Sequence, residues 1–164
     1  MDEIARRAGV AVGTLYNYFG GRERLVRAVL ERRHHELDAR LAQLEDLALS
    51  LPVAVERIVG EVFEHCAQHA AFFSVILHDD RIVPRPGGHG EGMRIVLRHL
   101  GRAFEDAVRR GAIDETRAAL DTELTVGCIR AGIIFVLARN GDETSWRDTA
   151  QRITSFVLAG CSRA

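Results

Sequence analysis

The sequence contains no lysine, few cysteines and prolines, and no long apolar run. Its three cysteines (Cys66, Cys128 and Cys161) are an odd number and form no CxxC pair. This argues against a disulfide framework or a structural zinc site and favours a reducing cytoplasm. The most apolar stretch, residues 126–138, is interrupted by Arg130 and is shorter than the roughly 18–20 residues of a membrane-spanning helix. The charged N-terminus lacks the apolar segment of a signal peptide, so we expect a cytoplasmic protein with no membrane partner.

Charge is distributed unevenly along the chain of 164 residues, whose formal net charge is −1. Residues 1–33 contain seven arginines and four acids, whereas residues 34–164 contain fifteen arginines and nineteen acids. Hydrophobic residues make up 47% of the chain and charged residues 27%, which is typical of a folded protein with a core. A basic end on an acidic body indicates a polyanionic partner for that end.

Apolar residues recur every three or four positions along most of the chain, and no stretch shows the alternation typical of strands. The sequence therefore predicts an all-α fold. One long helix starts near Arg22. Its mostly apolar side consists of Val26, Leu30, His34, Leu37, Leu41, Leu44 and Ala48.

Capping and breaking residues predict the limits of the later helices. We expect one helix from about Pro52 to a break near Ala70, a short one to about residue 77, and another over residues 93–110. A further helix is expected to be capped by Asp121 or Thr122 and to reach Arg139, and Thr144 or Ser145 is expected to open the last. Residues 79–92 hold two of the three prolines and are predicted to form a loop.

Two short helices separated by a turn at Gly9 precede the long helix. This is the order of a helix-turn-helix unit, in which the second helix enters the major groove of DNA. In the second helix, residues 12–19, Leu15 and Phe19 lie four apart on an inner face. Hydroxyl groups suit phosphate oxygens, and an asparagine amide suits the edge of adenine. The polar side chains left to face outward are Thr14, Tyr16, Asn17 and Tyr18.

These residues resemble a known family. Residues 2–10 (DEIARRAGV), 13–19 (GTLYNYF) and 22–25 (RERL) are similar, in this order, to the TetR family of bacterial transcriptional regulators. The remaining chain resembles the family only as an all-helical body of suitable length. The resemblance implies a homodimeric, ligand-responsive repressor that recognises a near-palindromic operator in double-stranded DNA. Its C-terminal domain would bind a small effector and dimerise.

By matched position, the resemblance implies DNA contacts from the second helix and the start of the third. The phosphate contacts would come from Thr14, Tyr16, Tyr18 and Arg22, and the base-facing positions are Val12, Gly13 and Asn17. The same resemblance divides the chain into a partial helix-turn-helix domain with its connecting helix, residues 1–45, and a helical effector-binding and dimerisation domain, residues 46–164.

The sequence departs from the family pattern in three places. Ala11 stands where a serine usually caps the second helix, and Gly21 stands where a capping serine or asparagine is usual. The family also has a helix before the first one here, and this chain starts without it. We therefore expect an incomplete three-helix domain that binds DNA poorly. The alternative function is a helical small-molecule-binding or interaction protein that lacks DNA binding because the first helix is missing.

A ligand pocket is expected in the C-terminal body, between the helices around residues 55–77, 93–110 and 122–139. His69 and Arg130 are the candidate polar groups, although Arg130 has an alternative role in a salt bridge across a dimer. This lining predicts a small, mostly apolar effector with one acidic or hydrogen-bonding group. The expected apolar lining consists of Val62, Cys66, Phe73, Met93, Leu97, Leu100 and Phe104.

The helix at about residues 122–139 is apolar on nearly all sides. Such a helix is covered on one side by its own core and on the other by a partner. Pairing it with the helix at about residues 145–160 across a two-fold axis predicts a homodimer built on a four-helix bundle.

The remaining candidate chemistry is limited to isolated side chains. His65 and His69 lie four apart, one turn after Glu61, but no second helix offers a matching pair, so we expect no metal or other cofactor. His34 has two possible roles, as a hydrogen-bonded core histidine or as a proton or effector sensor between domains. Cys66 likewise has two, as a packed core residue or as a redox switch. No nucleophile-elbow, P-loop or dinucleotide motif occurs, so we expect no enzymatic activity.

Overall fold

A computed structural model describes residues 1–45, 47–77 and 90–161, and in these ranges it contains eight α-helices and no β-strand. This confirms the predicted all-α fold. None of the described helices is long and apolar enough to cross a membrane. Most of the loop predicted at residues 79–92 lies outside the described residues. The helices are α1 (Asp2–Ala8), α2 (Val12–Phe19), α3 (Arg22–Glu45), α4 (Leu51–Gln68), α5 (Ala70–Leu77), α6 (Glu91–Arg109), α7 (Glu115–Ala138) and α8 (Glu143–Cys161).

The chain divides into two compact units, Met1–Glu36 and Leu37–Ala164. The division falls within α3, which continues without a break from the first unit into the second. The first unit holds α1, α2 and the beginning of α3, and the second holds the end of α3 and α4 to α8. The sequence placed the domain limit at the end of this helix, between residues 45 and 46, and that limit stays a prediction.

The second unit is built around four long helices. α4 packs against α6 and α8, α7 packs against the same two helices, and α5 lies against α4 and α7. Apolar residues three or four positions apart give each long helix one inward side, so the four helices enclose a common core. The buried side chains of this core include Val55, Val59, Val62, Phe63, Val96, Leu100, Phe104, Val126 and Ile129.

α7 begins earlier than the sequence predicted. It starts directly after Asp114, whose Oδ1 accepts hydrogen bonds from the backbone N–H of Thr116 at 2.7 Å and from the hydroxyl of the same residue at 2.5 Å. Asp121 and Thr122 lie inside the helix, and the hydroxyl of Thr122 donates to the carbonyl of Ala118 one turn back. The predicted start was wrong because a threonine that bonds to its own helix is hard to distinguish in sequence from a cap.

Two other helix limits differ by a few residues. α3 ends at Glu45, whereas its predicted apolar side extended to Ala48, which is exposed and has a left-handed φ of 48°. The last helix begins directly after Asp142, which caps it by accepting from the N–H of Ser145 at 2.8 Å. Thr144 and Ser145 therefore lie in the first turn and do not open the helix.

α7 approaches α4 and α8 closely at Gly132. A Cβ atom at this position would lie 2.5 Å from Cδ1 of Ile153 and 2.9 Å from the ring of Phe63. Any side chain here would therefore force neighbouring groups to move. The absence of a side chain at Gly132 lets three helices of the bundle meet.

Candidate functional site

α1 and α2 form a helix-turn-helix unit in which each helix ends at a glycine with a left-handed backbone. Gly9 (φ 67°) ends α1 and Gly20 (φ 71°) ends α2. The N–H of Val10 donates to the carbonyl of Ala5 at 3.1 Å and closes the turn. Ala5 and Leu15 are the buried side chains of the two helices, which pack against each other. The structure thus confirms the two short helices and the glycine turn between them.

The accessible surface of α2 carries the residues that were expected to contact DNA. Tyr16 is 50% exposed and Tyr18 is 84% exposed. The contacts of this surface with DNA stay a prediction. The exposed members of the predicted set are Gly13, Thr14, Tyr16, Asn17, Tyr18 and Arg22, and Val12 is half-buried.

The arginines of the first unit differ in their partners. Glu3 accepts hydrogen bonds from Nε of Arg6 at 2.9 Å and Nε of Arg7 at 2.8 Å, and these bonds hold the pKa of its carboxyl below the usual range. The carboxylate of Glu3 therefore offsets one of these two guanidinium charges. At the start of α3, the positive charges of the arginines are not offset by acids in this way. In the part of the chain that the structure describes, no ion pair is formed by Arg22, Arg24 or Arg27.

α2 begins without a side-chain cap, as the sequence predicted. Ala11 has the extended backbone of an N-cap (φ −68°, ψ 144°) but offers no side-chain acceptor. The first turn is closed only by the N–H of Thr14, which donates to the carbonyl of Ala11 at 3.0 Å. A serine in this place would stabilise the helix by about 0.5–2 kcal/mol.

The apolar residues expected to line an effector pocket lie together in the second unit. They form part of the core of the bundle rather than the wall of an open cleft. Burial raises the pKa of the Cys66 thiol to about 12, which makes a reactive thiolate at this position unfavourable. The buried members are Val62, Cys66, Leu100 and Phe104, and the half-buried members packed against the core are Phe73, Met93 and Leu97.

The two polar candidates for the same pocket lie in different surroundings. His69 is half-buried at the end of α4, and its ring centroid lies 5.0 Å from that of the buried His65. Arg130 is exposed on α7, so the structure does not place it among the apolar lining. Among the described residues, no group of three or more histidine, cysteine or acidic side chains could hold a metal ion.

Two cavities lie between other elements of the second unit. One of about 1090 Å³ lies between α4 and α8 and includes Phe63 and Trp146 in its wall. Another of about 310 Å³ lies between the end of α3, α4 and α6 and includes Ile58 and His99. Neither cavity is lined by the residues that the sequence predicted for an effector.

A charged cluster joins the end of α3 to α6 and was not predicted from the sequence. The ring of His99 lies between Asp38 and Glu45. Arg98 binds Asp38 at 2.5 Å, and Arg102 binds Glu45 at 2.7 Å. One sequence feature could have pointed to this cluster. Asp38 and Glu45 are separated by seven residues, which places them two turns apart on one side of α3.

The N-terminal segment and the fold of this chain are both similar to known proteins. Residues 1–29 match the family model described as bacterial regulatory proteins of the tetR family. The fold is similar to that of a proposed fatty acid metabolism regulator from Clostridium perfringens, with a TM-score of 0.71 and 21% sequence identity over 97% of this chain and 86% of the other. No curated protein matches the sequence. Residues 1–29 are therefore similar to the N-terminal segment of the tetR family, and the chain shares the all-helical fold of the Clostridium perfringens protein.

Proposed function

We propose that the protein is a transcriptional repressor that binds operator DNA as a homodimer and responds to a small, mostly apolar effector. The observation that carries this proposal is the exposed surface of α2. Its two tyrosines, threonine and asparagine are accessible to a ligand. Arginines that pair with no acid within the described ranges follow directly on α3. A surface of hydroxyl, amide and guanidinium groups suits the phosphates and base edges of DNA.

Each group on this surface has a distinct partner in DNA. Asn17 both donates and accepts hydrogen bonds, which matches the N6 and N7 atoms of adenine in the major groove. Val12 and Gly13 are small and allow the helix to approach the bases. Phosphate contacts fix the orientation of the protein and carry no sequence information. The phosphate contacts are assigned to Thr14, Tyr16, Tyr18 and Arg22.

The experiment that tests this proposal combines DNA selection with binding measurements. Selection from a random library should yield a near-palindrome with half-sites about 34 Å apart. Asn17→Ala should relax the preference at one base pair of each half-site by about 1–3 kcal/mol. Arg22→Ala should weaken binding to all sequences and lower the salt slope by about one. Arg57→Ala, which removes an exposed arginine of α4, is the matched control and should change neither property.

Two outcomes contradict the proposal. If the Asn17→Ala variant keeps the base preference of the parent, the assignment of the base-reading side is wrong. If the full chain binds neither selected nor bulk DNA, the protein does not act as a DNA-binding repressor. The second result would favour a helical small-molecule-binding or interaction protein.

Exposed apolar side chains on α7 and α8 support a homodimer. The opposite side of α7 is buried in the chain's own core through Ile129 and Val136. On α8, Trp146 and Val157 are also buried, so this helix would meet a partner with the side that carries Phe156. Two such surfaces related by a two-fold axis would form a four-helix bundle. The exposed residues are Leu120, Leu124, Ile134, Phe135 and Phe156.

The proposed effector site is the apolar cluster between α4, α6 and α7. Its side chains, among them Val62, Leu100 and Phe104, are in contact with one another, so an effector would have to separate these helices to enter. α6 is joined to the end of α3 through Asp38 and Glu45. A displacement of α6 would therefore be passed to α3, whose first residue is a proposed DNA contact. The effector class follows from the lining, which is apolar with few polar groups.

A further inference from the structure

The imidazole ring of His99 is held between two carboxylates. Its Nδ1 lies 2.5 Å from Oε1 of Glu45, and its Nε2 lies 2.7 Å from Oδ1 of Asp38. The residue is only 3% exposed, so water has little access to the ring. Both acids belong to α3 and the histidine belongs to α6, so this ring is a direct link between the two helices.

The charge state of the ring decides how many of these bonds exist. Each carboxylate is an acceptor only, so each ring nitrogen must carry a proton to bond with it. Only the imidazolium form has two N–H donors. In the neutral form one nitrogen presents a lone pair to a carboxylate oxygen, and that contact becomes repulsive. Histidine side chains change charge between about pH 5 and 8.

Two arginines of α6 keep the acids charged. Arg98 binds Asp38, and the pKa of that carboxyl lies below its ordinary value because His99 and Arg98 hydrogen-bond to it despite partial burial. Burial opposes the charge of Glu45, but hydrogen bonds from Arg102 and His99 outweigh it and lower the pKa. Both acids therefore stay ionised where a histidine titrates, so the charge of the ring is the variable part of this contact.

The other elements packed against α6 bring no further charge to the ring among the described residues. The α4 side chains that line the neighbouring cavity with His99 are Ala54 and Ile58. The same cavity includes further charged residues at the end of α6, among which Asp106 pairs with both Arg109 and Arg110. Glu105 lines it as well. On α4, the buried titratable residues are His65 and Cys66, and His65 lies against His69 and Phe73. No buried residue of α7 is titratable: they are Thr122, Thr125, Val126, Ile129, Gly132, Val136 and Leu137.

We propose that His99 is a proton-sensitive latch that fastens the end of α3 to α6 when the ring is charged and loosens it when the ring is neutral. The latch is closed while both ring nitrogens carry protons and opens when one of them loses its proton. α3 is continuous from Arg22 to Glu45, so the state of the latch also affects DNA binding. This last consequence rests on the proposed function, whereas the latch itself does not.

The latch is tested directly by nuclear magnetic resonance on the full chain with 15N-labelled histidine. Signals of His99 are assigned by their loss in His99→Gln. At about pH 5.5 both ring nitrogens should carry protons, and toward pH 8 one should lose its proton. The backbone amide signals of residues 37–45 should shift with the same midpoint. A ring that keeps one charge state throughout this range overturns the proposal, as does a titration that leaves residues 37–45 unchanged.

A second measurement follows urea unfolding between about pH 5.5 and 8. The two carboxylates bond to the charged ring only in the folded protein, so we expect the unfolding constant to rise with pH, by at most about tenfold per pH unit. His99→Gln should flatten this dependence. His35→Gln removes an exposed histidine of α3 and should retain it. If His99→Gln does not fold, Asp38→Asn replaces it, because loss of one carboxylate also weakens the dependence.

An unchanged slope in His99→Gln, or in Asp38→Asn where that variant replaces it, overturns the latch. DNA affinity measured over the same pH range separates the two proposals. Affinity that changes with pH in the parent and in His35→Gln, but not in His99→Gln, supports the link between latch and DNA. If the resonance and unfolding results hold but DNA affinity is independent of pH, the latch stands and its link to DNA binding is wrong.

Discussion

The ring of Phe63 on α4 meets the indole of Trp146 on α8 edge to face, with 6.0 Å between the ring centroids. Both residues are buried, and Gly132 of α7 lies directly against the Phe63 ring. Aromatic pairs in this arrangement contribute about 0.5–1.5 kcal/mol beyond the area they bury. Three helices of the second unit therefore depend on one contact that requires a glycine.

Gly132→Ala should destabilise the protein. The added Cβ would lie 2.5 Å from Ile153 and 2.9 Å from Phe63, and relief of such overpacking costs about 1–3 kcal/mol. The free energy of urea unfolding measures the change. Gly101→Ala is the control, because a Cβ at this position of α6 meets nothing within 4 Å. That variant should be more stable by about 0.5–1 kcal/mol, and an equal loss in both would contradict the close approach at Gly132.

Asp114→Ala should lower Tm by removing the cap of α7. The carboxylate of Asp114 accepts from the N–H and hydroxyl of Thr116, and these bonds hold its pKa below the usual range. Loss of a cap in a chain of this size should lower Tm by roughly 2–4 °C in a thermal scan. Asp121→Ala should leave Tm nearly unchanged, because Asp121 lies inside α7. A larger loss of Tm in Asp121→Ala than in Asp114→Ala would instead support the helix start that the sequence predicted.

Acidification should weaken the attachment of α3 to α6. The pKa values of Asp38 and Glu45 are lowered in the folded state, so their stabilising effect is present above the ordinary range of about 3.9–4.3. It is lost as the pH falls through the lower folded values. Urea midpoints between about pH 3 and 6 should show this fall. Glu45→Gln should reduce the fall of the midpoint. Glu56→Gln, which changes an exposed acid of α4, should leave the fall unchanged. Identical curves for Glu45→Gln and the parent would reject this assignment.

Phe156→Arg should prevent dimer formation. Phe156 is 72% exposed in the single chain and would lie within the proposed interface, where a buried charge without a partner is strongly unfavourable. Light scattering at micromolar concentration should give twice the chain mass of 18.2 kDa for the parent and one chain mass for the variant. The control variant is Val75→Arg, which changes an exposed apolar residue of α5 and should remain dimeric. A parent that scatters as a monomer would refute the dimer.

Apolar ligands that raise Tm should do so through the cluster between α4, α6 and α7. Leu97→Ala should reduce the shift in Tm, because Leu97 packs against the core at this cluster. Phe104→Ala should reduce it as well, provided that the variant folds despite a loss of about 3–5 kcal/mol. Gln151→Ala alters the separate cavity between α4 and α8 and should leave the shift unchanged. If the shift survives both core variants but not Gln151→Ala, the effector site is between α4 and α8.

Local sequence was sufficient for the first unit and for the helical class of the second. Gly9 and Gly20 end their helices because a left-handed residue is needed there, and each requirement is satisfied within a few residues. The inward position of Leu15 and the outward position of Asn17 follow from helical spacing alone. The outward side of α2 could therefore be predicted from a short segment, whereas its contacts with DNA stay a prediction.

Contacts between distant segments could not be predicted in the same way. His99 meets Glu45 and Asp38 across 54 and 61 residues of chain, and only the packing of α6 against α3 brings them together. Periodicity placed Arg130 on a nearly all-apolar helix but did not say which side of that helix would be covered, and in the single chain Arg130 is exposed. Spacing along a helix specifies which residues share a side, because the backbone geometry is local. Which partner that side meets is decided only when the helices pack.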